Sequence, residues 1–137
     1  MQSKPVLGTA QISEILTAAR AEADQHGWAV SIAVVDDGGH PLGLMRLDGA
    51  SPGSAYLATE KARTSALGRR ESKVYEDMIN GGRYAFLSAP LHATLEGGVP
   101  VIVEGQCVGA VGVSGVKSDQ DAQVAKAGIA GVVRPQS

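Results

Sequence analysis

The sequence predicts an α+β fold, in which helices pack against an antiparallel sheet of about five strands. Apolar residues recur at helical spacing in several segments, and two pairs of β-like runs are each joined by a short turn containing glycine. Hairpins of this kind form antiparallel pairs, and the helices between them are expected to cover the sheet. Because the chain has 137 residues, of which 44% are hydrophobic, we predict a single domain over residues 1–137, with its core at about 9–132.

The first helix is predicted from Thr9 to about His26. Thr9 is the expected N-cap, and Gly27 can adopt the left-handed conformation that ends a helix. An apolar stripe with the spacing i, i+3, i+4, i+7 and i+11 indicates this helix. The stripe consists of Ile12, Ile15, Leu16, Ala19 and Ala23.

The first hairpin is predicted from two β-like runs, at residues 28–35 and 42–47. They are joined by "DDGGHP", in which Gly38 and Gly39 tolerate positive φ. The first run is apolar at nearly every position, which is typical of a central strand that is covered on both faces.

A second helix is predicted over residues 51–68, with Ser51 as its N-cap and Pro52 at its first position. Its small side chains allow close packing, and they form a stripe of Ala55, Ala58, Ala62 and Ala66. A shorter helix is predicted at 72–79. The segment 84–88 is compatible with a short strand, and Pro90 should interrupt regular structure after it.

The second hairpin is predicted from strands at 101–103 and 107–114, which flank a Glu-Gly turn. The last helix is expected from Ser118 to about Val132. Ser118 and Asp121 approximate a capping box, although Glu or Gln is the usual acidic or amide partner in that motif.

Glycines recur in this hairpin as GxxGxxG, at Gly109, Gly112 and Gly115. The spacing matches neither the dinucleotide-binding GxGxxG nor the phosphate-binding GxxxxGK[ST] motif. Glycine inside a strand often marks the close approach of another backbone or a ligand. We therefore interpret the stretch as scaffold, with residues 96–98 and 114–115 as the two edges of any site.

Composition argues against several functional classes. The net charge is −2 and no basic run occurs, which argues against nucleic acid as a partner. No stretch approaches the roughly 20 apolar residues of a membrane span, and the first residues lack a signal-peptide core, so a cytoplasmic location is expected. Cys107 is the single cysteine, which excludes an internal disulfide. Aromatic residues make up only 4%, so extra burial between subunits is expected and a homo-oligomer is predicted.

Three stretches resemble the GlcG/HbpS family of haem-binding or haem-degrading proteins, a domain that also forms the C-terminal part of PduO-type proteins. They are "VVDDGGHPLGLMRLDGA", "EKARTSALGRR" and "GGVPVIVEGQCVGAVGVSG", the last followed by Asp121. The resemblance covers roughly residues 12–129. It implies a small domain with an antiparallel sheet, assembly into tetramers or octamers, haem as a cofactor, and an association with catabolic operons.

The leading functional hypothesis is therefore a haem-binding or haem-handling accessory protein of a catabolic pathway. Haem iron needs an axial side chain such as histidine, and His40 and His92 are the candidates. Lys61 and Arg83 are the candidate cations for a propionate or another small anion. No metal site apart from haem is expected, because no HxH or HExxH spacing occurs.

An alternative hypothesis is a small catabolic enzyme, an isomerase, tautomerase or hydrolase that acts on an acidic metabolite. Lys61 or Arg83 would then hold the carboxylate of the substrate, while Glu96 or His92 moved a proton. A purely structural subunit, whose function is its own assembly, is the third hypothesis.

Overall fold

The computed structural model describes residues 1–133, so the last four residues of the predicted domain lie outside the described part. Its helices are α1 (Thr9–His26), α2 (Pro52–Gly68), α3 (Lys73–Asn80) and α4 (Ser118–Ala130). Its strands are β1 (Ser31–Asp36), β2 (Pro41–Arg46), β3 (Gly98–Val103) and β4 (Gln106–Ser114). The α+β class predicted from the sequence is confirmed.

The sheet has four strands in the order β2-β1-β4-β3, and all neighbours are antiparallel. The expectation of about five strands is wrong, because Tyr84–Ser88 forms a 3₁₀-helix. Its hydrogen bonds are local, with the amide of Phe86 donating to Arg83 and that of Ala89 donating to Phe86. None of its residues is buried, so no apolar face holds this segment against the sheet.

The helix ends differ slightly from the predicted caps. Helix α1 begins at Thr9, and Gly8 is its N-cap, where the amide of Gly8 donates to Gln11 Oε1 at 2.9 Å. Gly27 has φ = 69° and ends α1 as predicted. Helix α2 ends at Gly68, and the left-handed residue after it is Arg69, with φ = 56°.

The helices lie on both faces of the sheet. The face covered by α1 and α4 is built mainly from β-branched side chains, whereas α2 packs on the other face through small ones. Strand β1 is buried at five of its six positions, as predicted for a central strand. The α2 face comprises Ala33, Val35, Ala58, Ala62, Ala66 and Ala110.

Close packing of α2 explains the glycine of β4. A Cβ placed on Gly112 would lie 2.6 Å from the amide nitrogen of Ala62, so only glycine lets this part of the strand reach the helix backbone. Gly98 pairs with Gly112 across the sheet and faces the carbonyl of Lys61. Gly112 therefore lies under a helix, as interpreted, whereas Gly109 and Gly115 of the same pattern approach the backbone of Val35 and Ala29.

Candidate functional site

A buried ion pair joins α2 to α4 at the end of β4. Lys61 Nζ donates to Asp121 Oδ2 at 3.1 Å and to the carbonyl of Val113 at 3.0 Å. The two charged side chains are only 5% and 3% exposed. Lys61 was a candidate cation for a propionate or another small anion, and among residues 1–133 its anionic partner is Asp121.

Asp121 is held from two sides. Its Oδ2 meets the Lys61 ammonium, and its Oδ1 accepts a hydrogen bond from the amide of Val116 at 3.1 Å. Burial raises the pKa of Asp121 above its usual value, although the charge of Lys61 and the Val116 hydrogen bond oppose that shift. The carboxylate therefore ties the start of α4 to the loop before it. The capping box predicted with Ser118 is wrong, because the N-cap of α4 is Lys117, whose amide donates to Gln120 Oε1 at 3.3 Å.

Gly97 covers this pair. A Cβ at this position would lie 2.9 Å from Lys61 Nζ and 2.8 Å from the carbonyl of Val113, and Gly97 has φ = 133°. The amide of Val113 donates to the carbonyl of Gly97 at 3.1 Å. The structure therefore brings together the ends of β3 and β4, which were expected to be the two edges of a site.

The pairing of Asp121 with Lys61 was not predicted, since Asp121 was expected to form a capping box with Ser118. The available signal was its place on the buried stripe of α4, where an acidic residue stands among small and apolar ones. That stripe comprises Asp121, Ala122, Val124, Ala125 and Gly128. A charge on an apolar face indicates a buried partner, because an unpaired buried charge is very costly.

His40 forms a second polar arrangement, with Asp36 across the β1–β2 turn. Its Nδ1 lies 3.0 Å from Asp36 Oδ1 and 3.2 Å from Oδ2, and the amides of His40 and Gly38 each donate to Oδ1 at 2.9 Å. The imidazole is 78% exposed. Burial opposes ionisation of Asp36, but hydrogen bonds from His40 and Gly38 hold the pKa of Asp36 below its usual value.

The other predicted site residues do not join these two arrangements. His92 is exposed, and its contact with α2 is made by its carbonyl, which accepts a hydrogen bond from Thr64. Arg83 is exposed, with its guanidinium carbon 5.0 Å from the ring centroid of Phe86. Glu96 is half-buried next to Gly97. Catalytic roles for Glu96 and His92 and anion binding by Arg83 remain predictions.

Cavities occur elsewhere on the surface. Four cavities of about 290–480 Å³ are lined by described residues, and none of the four is lined by His40, His92, Lys61, Arg83 or Glu96. No helix within residues 1–133 combines the length and apolar character that crossing a bilayer requires. In the same part of the chain, no three His, Cys, Asp or Glu side chains form a metal-binding group.

Comparison with known proteins gives the family. A family model described as "Haem degrading protein HbpS-like" matches residues 7–130. Protein GlcG of Escherichia coli K12 is 58% identical over 114 residues, which cover 83% of this chain and 85% of that protein. A crystal structure of a double mutant of HbpS from Streptomyces reticuli has a TM-score of 0.87 and 30% identity, with 98% and 92% of the two chains covered. The crystal structure of a PduOC:Heme complex has a TM-score of 0.83 and 26% identity, with 93% and 96% covered. The chain therefore belongs to the HbpS-like family of haem-degrading proteins.

Proposed function

We propose that this protein binds and handles haem, with His40 as the axial ligand of the iron. The observation that carries the proposal is the pairing of His40 Nδ1 with Asp36, which leaves Nε2 without a hydrogen-bond partner among the described residues. Histidine that binds a metal through one nitrogen usually donates its other ring N–H to a carboxylate or a carbonyl. The similarity to a protein crystallised with haem supports the same assignment.

The residues around His40 fit such a ligand. The Asp36 carboxylate favours the tautomer that carries its proton on Nδ1, so the lone pair of Nε2 is available to iron. Gly38 leaves space for the ring, since a Cβ there would lie 2.8 Å from His40 Cε1. Bound haem would supply an iron centre that binds small ligands and exchanges electrons.

Two cations lie beside the same turn and suit the propionates of haem. Lys4 Nζ pairs with Asp37 at 2.5 Å, and Arg63 Nε donates to the carbonyl of Gly39 at 3.3 Å. Lys61 was the predicted anion-binding lysine, but its ammonium is buried against Asp121. Lys61 therefore stabilises the fold, and we propose Lys4 and Arg63 as the propionate partners.

Assembly is part of the proposal. The His40 imidazole lies largely in solvent, so one chain alone would leave most of a porphyrin uncovered. A second copy that covers the same turn would exclude water from the iron, in line with the tetramers or octamers implied by the family resemblance. We also keep as proposals the cytoplasmic location and the accessory role beside a catabolic pathway.

Hemin titration with absorbance in the Soret region tests the proposal. We expect saturable binding with a shifted Soret band in the wild type and loss of that shift in His40→Ala. His92→Ala removes the other candidate ligand and should leave the band unchanged. His26→Ala is the matched control, because His26 is an exposed histidine that stacks on Trp28 with ring centroids 4.3 Å apart.

Asp36→Asn tests whether the charge of Asp36 supports His40 as the iron ligand, and it leaves His40 itself in place. An asparagine keeps the size of the side chain but removes the charge that orients and strengthens the imidazole, so hemin affinity should fall by about 10–100-fold. An unshifted Soret band in the wild type would overturn haem binding. A wild-type spectrum in His40→Ala would overturn the assignment of the ligand.

A further inference from the structure

We infer that the groove between β2 and α2 binds a small hydroxycarboxylic acid with an apolar body. The groove has a volume of about 480 Å³. It contains exposed apolar side chains, an arginine without an ionic partner, and a glutamate with one unpaired buried oxygen. Its lining consists of Leu44, Arg46, Pro52, Ala55, Tyr56, Thr59 and Glu60.

Apolar side chains of the groove are open to solvent to an unusual degree. Tyr56 is 81% exposed and Leu44 is 52% exposed, and both line the groove. Strand β2 is an edge of the sheet, so among the described residues no further strand covers Leu44. Large exposed apolar side chains that line one concave surface mark a binding site more often than a plain surface.

Arg46 provides the binding group for an anion. It is exposed, and within residues 1–133 its guanidinium forms neither an ion pair nor a side-chain hydrogen bond that meets ordinary distance criteria. A guanidinium presents a planar fork of N–H donors that matches a carboxylate with two parallel hydrogen bonds. A carboxylate in the groove would therefore meet a cation that no described side chain neutralises.

Glu60 creates the need for a hydrogen-bond donor on the ligand. Its Oε1 accepts a hydrogen bond from Arg63 Nη1 at 2.8 Å, whereas its Oε2 is buried and has no partner among residues 1–133. A buried acceptor without a donor is costly, so a ligand group that donates to it is favoured. The Glu60 side chain as a whole is 29% exposed and lines the groove, so the proposal requires the carboxylate to turn its unpaired oxygen toward the groove when the ligand binds.

Together these groups select one class of ligand. A ligand that satisfies Arg46 and Glu60 must carry a carboxylate for Arg46 and a hydrogen-bond donor for Glu60. These two groups must be attached to an apolar body that lies against Tyr56. A neutral hydroxyl suits the donor position better than an ammonium, because Arg63 already pairs with the Glu60 carboxylate and a second cation, Arg46, lines the same groove. A hydroxycarboxylic acid has both groups.

Three related probes separate the two requirements. Mandelate has the hydroxyl and the carboxylate, phenylacetate lacks the hydroxyl, and 1-phenylethane-1,2-diol lacks the carboxylate. Isothermal titration should show mandelate binding about tenfold or more tightly than either analogue. In ¹H–¹⁵N NMR spectra, mandelate should shift the amides of Leu44, Tyr56 and Thr59.

Variants assign each preference to its residue. Arg46→Gln should abolish the preference for mandelate over the diol, and Glu60→Gln should reduce the preference for mandelate over phenylacetate. Arg70→Gln is the matched control, since Arg70 is an exposed arginine that lines none of the four cavities. Each comparison is made between ligands on one folded variant, so a general loss of stability does not imitate the result.

Equal binding of the three probes, or amide shifts outside the groove, would overturn the inference. Sedimentation analysis tests the competing occupant, a second copy of the chain. If Tyr56→Ser dissociates an assembly and mandelate never binds, the groove is a subunit interface and the ligand site is refuted. Hemin titration of Arg46→Gln should match the wild type, so failure of this site and failure of haem binding are distinguishable.

Discussion

Lys61 on α2 and Asp121 on α4 form an ion pair with an N–O distance of 3.1 Å in the interior of the domain, and the backbone of Gly97 covers it. The pair connects the single helix on one face of the sheet to a helix on the other face. Two hydrogen-bond acceptors surround the ammonium, and two donors surround the carboxylate. Such a pair costs desolvation energy, so its partners depend strongly on each other.

We expect Lys61→Met to destabilise the protein by about 3–5 kcal/mol, because it leaves the buried carboxylate of Asp121 without a counter-charge. Urea denaturation followed by circular dichroism measures the change in the free energy of unfolding. The double variant Lys61→Met with Asp121→Leu should recover much of the loss, since it removes both charges together.

Lys73→Met is the control for that series. Lys73 pairs with Asp77 at 2.6 Å on the surface of α3, where both side chains are largely exposed. A surface pair contributes little, so this variant should unfold at the same urea concentration as the wild type. A single variant of Lys61 that is as stable as the Lys73 control would show that the buried pair is not needed for folding.

The lowered pKa of Asp36 predicts that the stability of the fold depends on pH in acid solution. Its pKa in the folded protein lies below the usual 3.8, so the unfolded chain binds more protons between the two values. Stability from this group is therefore complete above the unfolded pKa and is lost as the pH falls through the lower, folded pKa. We expect Asp36→Asn to flatten the acid limb of a plot of urea midpoint against pH. An unchanged acid limb would contradict this account.

Cys107 should be unreactive in the folded protein. Burial raises the pKa of its thiol, and the thiol donates a hydrogen bond to the carbonyl of Gly109 at 3.3 Å. Only 6% of the residue is exposed. We expect DTNB to modify the native protein slowly and the urea-unfolded protein rapidly. Equal rates in the two states would show that the start of β4 opens readily in the folded protein.

Much of the fold could be predicted from the sequence because its signals are local. Helix α1 was predicted with the bounds it has, since its apolar stripe and Gly27 both lie within the helix and its cap. The prediction of an extra strand at 84–88 was wrong, because a strand forms only where another strand is available to pair with it. That condition depends on distant segments, and single-sequence patterns do not report it.

The candidate site was harder to predict for the same reason. Lys61 was predicted as an anion-binding cation, but its partner Asp121 is 60 residues away along the chain, and no local pattern joins the two. The link between His40 and Asp36 spans only four residues, yet His40 was predicted as a ligand without its carboxylate partner. The unpaired oxygen of Glu60 depends on packing around one atom, and no residue pattern encodes it.

Gly112 gives the clearest test of the packing under α2. A Cβ at this position would lie 2.6 Å from the backbone nitrogen of Ala62 and 2.9 Å from its Cβ, and a helix backbone cannot move aside cheaply. We expect Gly112→Ala to lower the free energy of unfolding by about 1–3 kcal/mol, the usual cost of overpacking a core. Gly53→Ala is the matched control, since Gly53 lies in the first turn of α2 and a Cβ there has nothing within 4 Å. Alanine favours the helix by about 0.5–1 kcal/mol over glycine, so the control should be stabilised. If urea denaturation gives the two variants the same sign, α2 does not contact β4 as closely as the structure shows.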